Sequence, residues 1–124
     1  MTDVAVDELA GRLGEAGLVL LDVRRPEELA GELTAPCDPR PGRIPGARNV
    51  EVTRLLGAGD DEAVRELVGE PAGAEVIAYC HSGSRSALAV QVLAAAGYAA
   101  RNYVGSWHEW SRDPTLPAEI GPTS

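Results

Sequence analysis

Two short, unbroken apolar runs constrain this chain more than any other feature. "LVLLDV" spans Leu18 to Val23, and "EVIAYC" runs from Glu75 to Cys80. Neither is long enough for a helix, and neither shows the strict alternation of a strand with one wet face. Strands buried on both faces read this way, and they belong to parallel sheets covered by helices. The intervening segments agree. Asp7 is placed to cap a helix running to about Ala16, with Leu9 and Leu13 one turn apart and Gly17 beyond its end. "RPEELAGE" suits a short helix with Pro26 at an early position. "DDEAVRELVGE", Asp60 to Glu70, puts Ala63, Val64, Leu67 and Val68 on one helical face. Ser84 to Ala96 is the longest helical stretch, while "RNV" and "ARNYV" read as further short strands. Alternating strands and helices make an α/β domain with a mostly parallel sheet. In such sheets, sites gather at the carboxyl ends of strands.

Between Leu33 and Ala47 the character changes. "LTAPCDPRPGRIPGA" holds four prolines and two glycines, so an irregular excursion with extended X-Pro steps is expected. With 124 residues, 44% of them hydrophobic, the chain suits one compact domain over 1–124, its ends at 1–5 and 115–124 loosely held. A net charge of -8 argues against nucleic acid or an anionic membrane as partner. All the basic residues are arginine, so any cationic site is built from permanently charged, planar guanidinium groups. No apolar stretch approaches the roughly 18 residues of a membrane span. The opening "MTDVAVDELAGRL" is unlike a secretory signal, and two cysteines, Cys37 and Cys80, make no disulfide framework. A cytoplasmic, reducing setting is the expectation.

Cys80 ends an apolar strand and is followed by "HSGSRS", six residues of small, basic or hydroxyl character. A helix starting near Ser84 would turn backbone N–H groups and partial positive charge toward that thiol. Gly83 would let the backbone bend or approach an anion closely, and Arg85 would add a fixed cation. Ser82, Ser84 and Ser86 supply hydroxyl donors or caps. Each feature favours the thiolate, the nucleophilic form of cysteine. The plainer alternative is a buried strand-end cysteine followed by an ordinary helix cap.

The loop "CHSGSRS" resembles the active-site loop of the rhodanese family of sulfurtransferases: Cys, two residues, Gly, one residue, then Arg or Thr. Three more segments are similar to that family in the expected order. "LLDVRRPEEL" resembles its first strand and turn, "GRIPGARNV" its Gly-His-Ile-Pro-Gly-Ala signature, and "NYVGSWHEW" its closing Gly-Gly/Ser-Trp motif. The resemblance covers about Val19 to Trp110. It implies a single rhodanese-like domain with a mostly parallel five-stranded sheet flanked by helices on both faces. It further implies that Cys80 takes a sulfane sulfur from a small anionic donor, thiosulfate or 3-mercaptopyruvate. The persulfide then passes that sulfur to cyanide or a thiol. Backbone N–H groups from His81 to Ser86 would surround the terminal sulfur much as an oxyanion hole does. Arg85 would help hold the loop and its anion. Asp22 and Arg24 would orient the loop and line the pocket mouth, and Trp107 would form a wall or simply fill core. No cofactor is implied. The alternative function is a persulfide carrier or sensor serving a sulfur-relay protein partner.

Spacing separates this loop from that of tyrosine and dual-specificity phosphatases, where five residues stand between Cys and Arg. Here four do, and a smaller cradle suits a single sulfur atom. Two positions depart from the family pattern. Arg43 replaces a histidine of the signature. Ser82 resembles mercaptopyruvate-using members, while His81 and Arg85 keep cationic character suited to thiosulfate, so the donor stays undecided. The long stretch Leu33 to Pro41 would bring Cys37 and Arg40 toward the pocket rim. There Cys37 would resolve a persulfide, form a reversible disulfide with Cys80, or have no role. Cys37, Cys80, His81 and His108 show no recognised ligand spacing, so no metal site is expected, and His108 reads as a surface residue of a short helical turn.

Overall fold

The computed structural model describes residues 3–33, 36 and 38–121; Cys37 and its expected role lie outside them. Four strands form one sheet: Leu18–Asp22 (β1), Arg48–Asn49 (β2), Glu75–Tyr79 (β3) and Ala99–Asn102 (β4). Their spatial order is β2-β1-β3-β4, with every neighbouring pair parallel. The expected five-stranded sheet is therefore corrected to four strands among the described residues. At the β4 edge the described residues supply a single parallel bridge, Val4 to Tyr103. The reason is length, because Val6 already begins a helix.

Burial on both faces explains the two apolar runs. Leu21, Val76, Ala78 and Cys80 point into one core, shared with Val64, Ala89 and Leu93 from the helices covering that side. Leu20, Ile77 and Tyr79 point into the other, with Leu9, Trp107 and Trp110. Adjacent residues serve opposite cores because side chains alternate across a strand. The first face carries Val52–Gly57 (α3), Asp61–Val68 (α4) and Ser84–Ala95 (α5), and the second Val6–Gly11 (α1) and Ser106–Trp110 (α6). Pro26–Leu29 (α2) follows β1.

Local chemistry explains most boundaries. Asp60 accepts from the Ala63 amide at 2.8 Å and opens α4, and Gly69 closes it. The first helix stops at Gly11, short of the expected Ala16, and starts after Ala5 without a side-chain cap. Its last residues are replaced by a turn in which Arg12 pairs with Glu15 and, at 2.6 Å, with Glu75 at the start of β3. Helix α3 was not foreseen: it is six residues long, has no side-chain cap and buries only Val52 and Leu55. Val4 and the segment 115–121 are tied to the rest of the fold. Val4 is buried, and its amide donates to the Asn102 carbonyl at 2.9 Å. Between Thr115 and Gly121, the Pro117 carbonyl accepts from Trp110 Nε1 at 2.7 Å and the Gly121 carbonyl from Arg43 at 2.7 Å. Arg43 thus fastens the C-terminal segment, which accounts for a guanidinium in the signature.

Candidate active site

The carboxyl end of β3 and the start of α5 are joined by residues 80–83, and the loop curls around Cys80. Its Sγ accepts from the Gly83 amide at 3.1 Å, the Ser86 amide at 3.4 Å and the Ser86 hydroxyl at 3.4 Å. The Ser106 hydroxyl stands further off, at 4.0 Å. Burial pushes the thiol pKa up, but the Ser86 hydroxyl and the amides of Ser86, Gly83 and Ser82 outweigh it, and the net shift is downward. Hydrogen bonds to the charged form are what lower it. Cys80 is fully buried, whereas Ser82 and Ser84 on the loop's outer side are exposed. The sulfur is thus buried at the edge of the first core, with polar donors of the loop around it.

Two backbone features hold the curl. Gly83 has φ of 97°, and a Cβ there would lie 2.6 Å from the Val104 carbonyl oxygen, so both conformation and space demand glycine. Ser106 adopts φ of 56° although it is not glycine, which places its hydroxyl under the loop. That hydroxyl accepts from the Cys80 amide at 3.0 Å and donates to the Tyr103 carbonyl at 2.8 Å. The first turn of α6 then takes the loop's carbonyls, Trp107 N–H on Cys80 and His108 N–H on His81, both at 2.9 Å. Asn102, at the end of β4, donates to the Gly83 carbonyl at 3.3 Å. Ser106 and Asn102 were missed in the sequence. For Ser106 a signal existed, because the "VGSW" motif puts it where the resembled family also allows glycine.

The cations are committed elsewhere. Arg85 makes a two-pronged ion pair with Glu28 of α2, at 2.9 and 3.2 Å, rather than standing free for an anion. Burial acts to raise the Glu28 carboxyl, yet the Arg85 hydrogen bonds hold it below its ordinary value. Arg24, expected at the pocket mouth, is buried. Its guanidinium bonds Asp22 at 2.8 Å and the Gly42 carbonyl at 2.7 Å. It lies 5.3 Å from the Trp107 ring centre and 5.7 Å from that of Tyr79. Burial pushes the Asp22 carboxyl up against the pull of Arg24. Trp107 is buried core, its Nε1 donating to the Arg40 carbonyl at 3.0 Å. Arg40, expected near the rim, instead donates to four carbonyls around the end of α6: those of Trp110, Ser111, Asp113 and Leu116. His81 turns from the sulfur side to Asp38, 3.0 Å from its Nε2. No helix of the described residues is long and apolar enough to cross a membrane.

Comparison with known proteins agrees with this architecture. The profile of the Rhodanese-like domain matches residues 5–113. A thiosulfate sulfurtransferase of Azotobacter vinelandii is 38% identical over 122 residues, which are 92% of this chain and 44% of that protein. A Pseudomonas aeruginosa protein named "Probable 3-mercaptopyruvate sulfurtransferase" is 37% identical over 91% of this chain and 43% of its own. The chain thus spans less than half the length of the curated relatives it matches. A human single-domain sulfurtransferase superposes with a TM-score of 0.70 at 31% identity, covering 91% of this chain and 97% of its own. The chain belongs to the rhodanese-like domain family.

Proposed function

We propose that this chain is a sulfurtransferase that works through a persulfide on Cys80. The observation that carries this is the set of donors on Sγ, the amides of Gly83 and Ser86 with the Ser86 hydroxyl. They stabilise negative sulfur through hydrogen bonds, which suits a group whose charge must later move outward onto a second sulfur atom. With thiosulfate as donor, the Cys80 thiolate attacks the sulfane sulfur. The new S–S bond forms as the old sulfur–sulfur bond breaks, and sulfite departs with the electron pair. The acceptor, cyanide or a thiolate, then attacks the terminal sulfur and returns Cys80 as thiolate. Charge stays on sulfur throughout, so the same ring of donors serves both half-reactions. Relatives named for thiosulfate and for 3-mercaptopyruvate match about equally well, and Arg85, paired with Glu28, offers little preference for the more highly charged donor.

A second reading has one observation in its favour. Val104 packs against Gly83 yet is 43% exposed, and Leu88 on α5 is 48% exposed. Apolar surface beside the loop suits a protein that receives or delivers the sulfur, as in a carrier or sensor. Mass spectrometry of the protein after thiosulfate or 3-mercaptopyruvate tests the leading reading. One added sulfur is expected at Cys80, removed by cyanide with release of thiocyanate, and absent in Cys80→Ser. No adduct with either donor would sink it. An adduct that forms but discharges only to a protein thiol would favour the carrier.

A further inference from the structure

Asp38, His81 and His108 come from three separate parts of the chain: the proline-rich excursion, the residue after Cys80, and α6. The His81 Nε2 lies 3.0 Å from both carboxylate oxygens of Asp38, and His108 Nδ1 lies 3.6 Å from one of them. The two imidazoles meet edge to face with ring centres 5.4 Å apart. One nitrogen or oxygen from each of the three residues lies within 4.8 Å of the other two.

These lengths match a known geometry. Zinc bonds to nitrogen and oxygen are about 2.0–2.2 Å, so neighbouring ligand atoms in a tetrahedron stand about 3.3–3.6 Å apart. Of the two edges at Asp38, the 3.6 Å one already falls at that length and the 3.0 Å one, a hydrogen bond, needs to open by about 0.3 Å. The third, between the imidazoles, is at most 4.8 Å and needs to close by about 1.5 Å at most. His108 has the room to do so, with its side chain 43% exposed, while the Asp38 side chain is 2% exposed and held as a fixed base. The backbones are tied together independently. His108 N–H donates to the His81 carbonyl at 2.9 Å, and Trp107 Nε1 reaches the Arg40 carbonyl, two residues from Asp38, at 3.0 Å. Convergence of the three side chains is thus built into the fold rather than left to mobile surface groups.

We propose that Asp38, His81 and His108 form a site for a divalent transition-metal ion of the zinc class, with one coordination position left open. Two imidazoles and one carboxylate are a transition-metal donor set, whereas calcium and magnesium call for oxygen. The site adjoins the Cys80 loop through His81 but does not depend on sulfur transfer. It would join the excursion, the loop and α6 through one ion.

Calorimetric titration of untagged protein with zinc chloride at about pH 7.5 tests this. The background is Cys37→Ser/Cys80→Ser, which removes thiol ligands. Saturable binding of one ion per chain is expected, together with a rise in Tm. His108→Ala in that background should weaken binding by about tenfold or more. Cobalt in place of zinc should give the intense visible bands of a four-coordinate ion, lost in His108→Ala. Circular dichroism checks the fold of that variant, and His108→Gln, which keeps a polar side chain but no imidazole, carries the same expectation. Absence of saturable binding, or binding by both His108 variants as tight as in the background protein, would overturn the proposal.

Discussion

At Cys80, burial and hydrogen bonding pull the thiol in opposite directions, and the donors decide. The Ser86 hydroxyl has one hydrogen and two acceptors, Sγ at 3.4 Å and the Gly83 carbonyl at 3.2 Å. Ionisation of the sulfur tips that hydrogen toward it, since a charged acceptor wins a stronger bond. The same residues leave little tolerance for change. Gly83→Ala forces φ of 97° on a residue with a Cβ and drives that carbon to 2.6 Å from the Val104 oxygen. Denaturant unfolding should show a loss of about 1–3 kcal/mol, and alkylation of Cys80 should slow as the amide ring is distorted. An unchanged midpoint and unchanged reactivity would mean the loop does not need this conformation. Gly83 was legible in the sequence because its demand is local. Ser106 was not assigned a role, because its acceptor and donor partners are fixed only by the way β4 and α6 bring residue 106 under residue 80.

Among the elements, the buried strands and the long helices were the easiest to foresee. β1 and β3 declare themselves by continuous apolar runs, and α4 by its cap and its single apolar face. Helix α3 has neither signal, only Val52 and Leu55 one turn apart. The roles of the arginines were harder to foresee, since a guanidinium near a thiol in sequence says nothing about which carboxylate reaches it first. Glu28 reaches Arg85 and also accepts from the Arg25 amide at 3.1 Å, so one side chain caps α2 and clamps the start of α5. A double-mutant cycle on Arg85→Ala and Glu28→Ala should give a coupling of about 1 kcal/mol. Each single variant should reduce sulfur uptake by similar factors, because each releases the same clamp. A large loss for Arg85→Ala with none for Glu28→Ala would instead make Arg85 a direct anion ligand.

Across the whole molecule, a buried polar group ties separate segments together beside the second core. Asp22 ends β1, Arg24 holds its carboxylate, and the guanidinium lies among Tyr79, Trp107 and the Gly42 carbonyl. The Tyr79 hydroxyl accepts from the Ile44 amide at 3.0 Å, carrying the connection into the excursion. Arg24→Ala would leave a fully buried carboxylate without its cation, at a cost of about 3–5 kcal/mol. Thermal unfolding should show a large drop in Tm, whereas a change of a degree or two would make the pair dispensable. The sequence marked Asp22 and Arg24 as important but as pocket groups. Their burial follows from the Gly42 carbonyl and Trp107 closing over them, contacts between segments that no local pattern encodes. The sheet is a similar case: a fifth strand was expected, and among the described residues before α1 Val4 provides one bridge.

The central claim is that amides and one hydroxyl favour the Cys80 thiolate more than burial opposes it. Its most direct test is the pH dependence of Cys80 alkylation in Cys37→Ser protein, set beside the same protein with Ser86→Ala. Donors that favour the charged form predict a midpoint below the free-thiol value of about 8.5, moving upward when the Ser86 hydroxyl is removed. A midpoint at or above that value, or one that ignores Ser86→Ala, would contradict the account.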